Sequence, residues 1–563
     1  MLPDDAPVAT LHGLPLGTRQ PAYARVGPPG RCRARFFAGD RTPHDPRWLH
    51  RVRTVPGVGP EGSVCARERI VTDGAESPAP PAPRSALARN ALFLLIAQLV
   101  STALAVVLNA ALGRALGPAK FGILFVASSM AGFAYVIAEW GQTQYVVREI
   151  AQKPHKEAKL LGTTLAARVL AVSVVAGLTA LTAWVLGYEA RTCALAVLFV
   201  GAMLPFFLAQ AISLVFRGRE RMEYDAAAAV VDRVITLVGT LAALALGAGV
   251  LAAAAGVGVG GVAALGVAVL LLRRLGVSRL SISGEYARAM FWGGAAIVLT
   301  NVESSVQPYV DAIILSKLTP PEAVGLYGAA RSFVGTLVAP AIIISVAAYP
   351  RLSRAALGSD LLRRELRLVM RPLLGLAALA AVGTFLYAQP AVDLVYGRDG
   401  FGPAGAVLRL LAPGLLLLFV DNMLALAVVA IDRPTPLAVA VALKIAASAG
   451  LSLVLIPHFE TAWHNGGMGL AIASGVSEVV VFVAAVLILP RGSLDPVLLS
   501  DLGRALVAGA GTLALFRLLP PLPLLVGIPL CVLWFGALSL ACRLVRLEEM
   551  AALSTLLRGS GAA

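Results

Sequence analysis

From about residue 90 to residue 545 the chain alternates long apolar stretches with short polar interruptions, each stretch near the roughly 20 residues needed to cross a bilayer core. The pattern predicts fourteen crossing helices, at 90–115, 119–140, 160–186, 192–216, 225–247, 250–272, 289–315, 323–349, 368–388, 404–430, 434–456, 467–489, 502–519 and 522–545. Residues 1–86 are different: rich in Pro, Gly and Arg, without hydrophobic periodicity. Such a segment buries too little apolar surface to fold and reads as a disordered cytoplasmic tail. It holds no apolar core of signal-peptide length. A second reading puts the start of translation near Val71 and makes residues 1–70 dispensable. The expected fold class is an all-α polytopic membrane protein.

The polar exceptions inside the apolar pattern concentrate in 300–351. Thr300, Glu303, Ser304, Gln307 and Asp311 fall within about 100° of arc on one face of the seventh helix. Polar groups at membrane depth usually face a cavity or the bundle interior, so this stripe is expected to handle substrate or a coupling ion. Pro308 removes one backbone donor and is expected to break the helix there. The same region has an echo. Shifted by 203 positions, Leu112, Pro118, Gly122, Ala127, Ser129, Gly132, Ala138 and Arg148 recur as Leu315, Pro321, Gly325, Ala330, Ser332, Gly335, Ala341 and Arg351. The first and second helices therefore match the seventh and eighth in the same orientation, which predicts a parallel pseudo-repeat about an axis along the membrane normal. Two six-helix lobes follow, 88–273 and 284–490, with a C-terminal helix pair at 500–546 and a cytoplasmic tail at 547–563.

Composition agrees with the pattern. The 563 residues are 58% hydrophobic and only 14% charged, with a mean hydropathy of +0.80; soluble domains carry nearer about a quarter charged residues. The net charge of +15 is distributed by side. With the N-terminus inside, inner loops hold Arg148, Lys153, Lys156, Lys159, Arg217, Arg219, Arg221, Arg273, Arg274, Arg279, Arg351, Arg354, Arg363, Arg364, Arg367, Arg433, Arg491, Arg543 and Arg546. Outer loops hold only Arg114, Lys120, Arg191, Lys317 and Arg398. That is the positive-inside distribution, and it places both termini in the cytoplasm. It also removes the reason to read the charge as nucleic-acid binding. Cys32, Cys65, Cys193, Cys531 and Cys542 show no metal or disulfide spacing, and nothing in the pattern requires a cofactor.

Depth along the helices suggests partners for the remaining intramembrane charges. Asp311 and Arg331 lie at matching depths from the 316–322 turn; the pair reads either as structural or as a site for a phosphate, which suits a guanidinium fork. Asp421 and Lys444 lie at matching depths from the turn at Asp432 and are expected to form a structural intramembrane pair. Asp232 and Arg233 are adjacent and expected to point apart, Arg233 snorkelling to the interface. Glu139 and Gln142 are expected at the interface, Glu478 has no evident partner, and 351–371 is expected to lie amphipathically on the inner leaflet.

Several of these segments resemble a known family. Residues 112–122, reading LGRALGPAKFG, resemble the ARxLGPxxFG turn of polysaccharide flippases; Val147-Arg148-Glu149-Ile150-Ala151 resembles their motif after the second helix; Asp311 to Leu315 with Val324 to Ala330 resembles their D-x-h-h-L…vGxYxxA pattern. The resemblance, over about 88–490, is to the oligosaccharidyl-lipid branch of the multidrug/oligosaccharidyl-lipid/polysaccharide (MOP) exporter superfamily. Glu139 stands where relatives often carry Asp. The resemblance implies two bundles alternating between inward- and outward-open states and lining a cavity with helices 1, 2, 7 and 8. It also implies a polyprenyl-diphosphate-linked glycan as cargo, membrane lipid as surroundings, and a polymerase or glycosyltransferase as partner, in the bacterial cytoplasmic membrane and without catalytic chemistry. Rival readings are a peptidoglycan-precursor lipid flippase, a multidrug cation antiporter and, from another class, an integral-membrane glycosyltransferase or ligase.

Overall fold

The computed structural model describes residues 55–58, 64–67 and 84–544, apart from 278–279, 356–358, 491, 494–495 and 521; some helical side chains, those of 294–305 among them, also lie outside the described set. The chain divides into two units. In Met1–Pro81 the described residues form an antiparallel hairpin, β1 (Val55–Val58) paired with β2 (Val64–Arg67). The rest of the stretch expected as a tail lies outside the described residues up to Arg84, where the first helix begins.

Among its described residues the second unit, Ala82–Ala563, has only helical secondary structure. In order these are α1 (Arg84–Glu139), α2 (Gln142–Gln152), α3 (Glu157–Val185), α4 (Ala190–Ala202), α5 (Leu204–Gly218), α6 (Met222–Ala245), α7 (Leu251–Arg274), α8 (Gly284–Leu318), α9 (Pro321–Ala355), α10 (Ser359–Tyr396), α11 (Ala404–Ala430), α12 (Pro434–Trp463), α13 (Gly466–Ile488), α14 (Pro496–Leu518) and α15 (Leu524–Ala541). Among the described residues, twelve segments are long and apolar enough to cross a membrane. The first of them is bent at Gly117, whose φ of 70° and ψ of 169° part α1 into two arms. Its two arms match the first two expected segments, and α8, 35 residues long, matches the seventh. Counted with the two arms of α1 apart, the helices correspond in order to the fourteen expected segments, with α4 and α5 jointly matching the fourth.

The bend at Gly117 is local chemistry. Its positive φ is a region that a side chain would strain, and Pro118, with φ pre-set and no amide hydrogen to lose, starts the second arm as Pro321 starts α9. At the other end of that arm Trp140 (φ 43°) and Gly141 (φ 67°) turn the chain, and Glu139 accepts hydrogen bonds from the Gly141 and Thr143 amides. Glu139 thus caps the turn into α2.

Sequence neighbours are not always neighbours in space. The second arm of α1 packs along α9, while α8 and α9 meet only slightly; α11 packs against α9 and α13 and hardly touches α12, which instead lies along α13 and α8. At the end bearing Gly117 and Pro321 the two lobes close on each other. Arg114 donates to the Val395 and Leu394 carbonyls, Phe121 makes edge contacts with Tyr396 and Phe401, and the Lys317 ammonium sits 3.4 Å from the centroid of the Tyr188 ring. The C-terminal pair docks on α10 through Arg371, buried at 2.5 Å from Asp501.

Two local expectations fail. The helix runs through Pro308 without a break, because α1 and α12 packing against α8 holds the backbone despite one lost donor. The 351–371 segment is not a separate surface helix: its described parts are the last turn of α9 and the first turns of α10, tied together by Arg351–Glu365 at 2.8 Å.

Candidate functional site

Three of the charged groups buried in the second lobe, Asp311, Lys444 and Glu478, gather into one cluster. Lys444 on α12 pairs with Glu478 on α13 at 2.7 Å, both side chains under 10% exposed. One turn along α12, Ser448 accepts a hydrogen bond from Gln307 of α8 at 3.5 Å and also bonds the carboxylate of Asp311. The second Asp311 oxygen is buried without a hydrogen-bond partner. Arg331, Lys444 and Glu478 all lie close enough to act electrostatically on Asp311. Two carboxylates therefore compete for one ammonium deep in the lobe, and an orphaned carboxylate oxygen in such a place is costly unless a proton or cation satisfies it. The arrangement can take up and release one positive charge.

Several expected pairings change. The ion pair of Lys444 is with Glu478 rather than with Asp421, and Arg331 forms no ion pair with Asp311. Both corrections have the same cause: depth matching across a turn assumes that consecutive helices touch, whereas α13 separates α11 from α12 and the second arm of α1 fills the angle between α8 and α9. Asp421 remains buried, at 4% exposure. Of the five-residue stripe, Gln307 and Asp311 face α12 inside the lobe, while the side chains of Thr300, Glu303 and Ser304 lie outside the described residues.

The first lobe holds a site that sequence reasoning missed. A polar cavity of about 360 Å³ lies between the first arm of α1, α5 and α6. Arg217 grips Asp225 in it, Nε to Oδ2 at 2.7 Å. Asp232 and Arg233 do not point apart; the guanidinium turns back to 3.7 Å from the carboxylate, and both line the cavity. The signal was present in Gln98, Ser101 and Thr102, spaced i, i+3, i+4 on the first helix. A third feature is an apolar cavity of about 420 Å³ bounded by α9, α10, α11 and α15 and reaching Val106 on α1.

Two pseudo-symmetric helical lobes with an additional helix pair, a buried charge cluster in one lobe and a polar cavity in the other define an all-α polytopic membrane protein. The family model described as polysaccharide biosynthesis protein matches residues 87–356, the part of the chain that carries the motifs at 112–122, 147–151 and 311–330. Among solved structures, the lipid II flippase MurJ in an inward closed conformation aligns with a TM-score of 0.65 at 14% identity, covering 80% of this chain and 99% of that one. An inward-facing multidrug-resistance MATE family transporter aligns at 0.53 and 16% identity, over 72% and 97% of the two chains. A MOP superfamily transporter from Pyrococcus furiosus aligns at 0.51 and 15%, over 72% and 95%. At these identities the likeness is one of fold. No curated protein matches in sequence.

Proposed function

We propose that the protein is a flippase that moves a polyprenyl-diphosphate-linked glycan from the inner to the outer leaflet of a bacterial cytoplasmic membrane by alternating access, with both termini cytoplasmic. The observation that carries this reading is the apolar cavity beside α15. A cargo with a long hydrocarbon chain needs an apolar compartment within the transporter, and Leu376, Leu379, Phe419 and Ile528 offer carbon surface for it. A small drug cation would be served better by an aromatic site with a free carboxylate. The Asp311–Lys444–Glu478 cluster is the coupling site in this reading: a proton or cation taken up beside Asp311 changes the charge balance inside one lobe and so biases its packing. Thr300, Glu303 and Ser304 precede Gln307 along α8 and are assigned to the same cargo path, with Arg331 assigned to the diphosphate.

The test is reconstitution in liposomes with undecaprenyl-diphosphate-linked hexose in both leaflets and a membrane-impermeant glycan-cleaving enzyme outside. Cleavage of the whole pool in protein-containing vesicles, and of the outer leaflet alone in empty ones, supports the reading. Protection of the inner pool in both, together with ion-driven uptake of an organic cation, would replace it with the antiporter.

A further inference from the structure

The polar cavity of the first lobe has a charge balance that restricts what it can hold. Its two guanidinium groups each face a carboxylate of their own: Arg217 is held by Asp225 through two contacts, at 2.7 and 3.4 Å, and Arg233 lies 3.7 Å from Asp232. Net charge is zero. A diphosphate would need uncompensated cations, and an organic cation an uncompensated carboxylate; the cavity offers neither. It offers instead fixed donors and acceptors side by side. Gln98 and Gln210 present amides that do both, and Ser101 and Thr102 add hydroxyls. Phe206 supplies an apolar face.

A ring of hydroxyl groups, each both donor and acceptor, with one apolar C–H face, matches that lining. The size is within the range of small-ligand sites. Position agrees too. Arg217 and Asp225 stand at the basic end of the lobe, and Asp232, seven residues beyond Asp225 on α6, lies roughly 10 Å deeper. Polar side chains along that depth, Gln98 exposed among them, belong on a hydrated path rather than against lipid.

We propose that this cavity is the subsite for the sugar end of the cargo, taking a neutral polyhydroxylated ring next to the diphosphate; the assignment rests on the flippase reading above. Its specificity lies in Asp232, Gln98 and Gln210. Asp232 has a second consequence. It neutralises Arg233, so that a bare diphosphate gains nothing by binding there. Removing the Asp232 charge frees the guanidinium for phosphate.

The experiment measures binding to the purified full chain in nanodiscs of three probes: undecaprenyl diphosphate, and the same lipid carrying one hexose or one N-acetylhexosamine. At least one glycosylated lipid is expected to bind wild type about tenfold more tightly than the bare lipid, the equivalent of one or two hydrogen bonds to charged partners. Gln98→Ala, at an exposed position where folding is not at stake, should reduce that preference several-fold and leave the bare lipid unaffected. Asp232→Asn should abolish the preference and strengthen binding of the bare diphosphate, a gain that a purely structural role would not produce. Equal binding of all three probes by wild type overturns the sugar subsite and leaves the flippase standing. A wild type that binds none of them sinks the flippase reading and this assignment with it. Parallel weakening of all probes in both variants, or an unchanged preference in both, also overturns the subsite.

Discussion

Gly122 and Gly325 meet across the pseudo-twofold axis. A Cβ on Gly122 would fall 2.9 Å from the Gly325 nitrogen and inside the van der Waals shell of the Pro321 carbonyl oxygen; one on Gly325 would fall 3.1 Å from the Gly122 nitrogen and inside that of Pro118. The contact is reciprocal, glycine of each arm on the proline-led first turn of the other, as a two-fold relation requires. These four residues are members of the 203-residue echo, so repeat-related positions form the lobe-to-lobe seam at this end.

This seam predicts a conformational effect. Gly122→Ala or Gly325→Ala pushes a methyl into backbone that cannot give way as a side chain tip would, costing the closed arrangement about 1–3 kcal/mol. Spin labels at Lys120 and Glu322 should report a wider and broader distance distribution in either variant. Gly335→Ala is the control, since a Cβ there meets nothing within 4 Å; an equal effect from Gly335→Ala would refute a role specific to the seam.

The Lys444–Glu478 pair predicts a pattern of rescue. Lys444→Met strands Glu478 and Asp311 in the lobe interior and should cost about 3–5 kcal/mol, seen as lost monodisperse yield. Lys444→Met with Glu478→Gln should recover much of it. The same rescue by Asp421→Asn instead would restore the pairing expected from depth.

Transport should be more sensitive than folding at Asp311. Asp311→Asn keeps shape and relieves a buried orphan oxygen, so yield should hold or rise while ion-driven flipping falls by an order of magnitude or more. Glu303→Gln should behave likewise if the face of α8 works as one unit. Arg331→Lys separates two roles: it keeps the charge and loses the fork. A partial defect supports contact with the diphosphate, and wild-type turnover in all three variants removes this face from the mechanism.

Topology gives a direct test of sidedness. With native cysteines replaced, a cysteine at Arg398, whose side chain is 87% exposed, should react in intact cells with an impermeant maleimide. A cysteine at the exposed Arg364 should react only after lysis. The reverse pattern would invert the bundle.

The number and order of crossings are legible in the amino-acid sequence. Apolar stretches of bilayer length, separated by turns such as Gly117-Pro118 and Pro320-Pro321, set them because unpaired backbone in lipid leaves no other solution. The echo from Pro118 to Arg148 carries the parallel repeat. Tertiary structure alone decided which helices touch. Lys444 finds Glu478 because α13 lies between α11 and α12; Asp311 finds Ser448 rather than Arg331 because the second arm of α1 separates α8 from α9; Arg233 turns back to Asp232 because α1 and α5 build a polar cavity beside them. Sequence periodicity reports the face on which a residue sits and its depth in the membrane, both local properties of a helix. Partner choice depends on the packing order of helices far apart in the chain, and in an apolar solvent that order is set by small-residue fit and buried charge, which one-dimensional patterns do not encode.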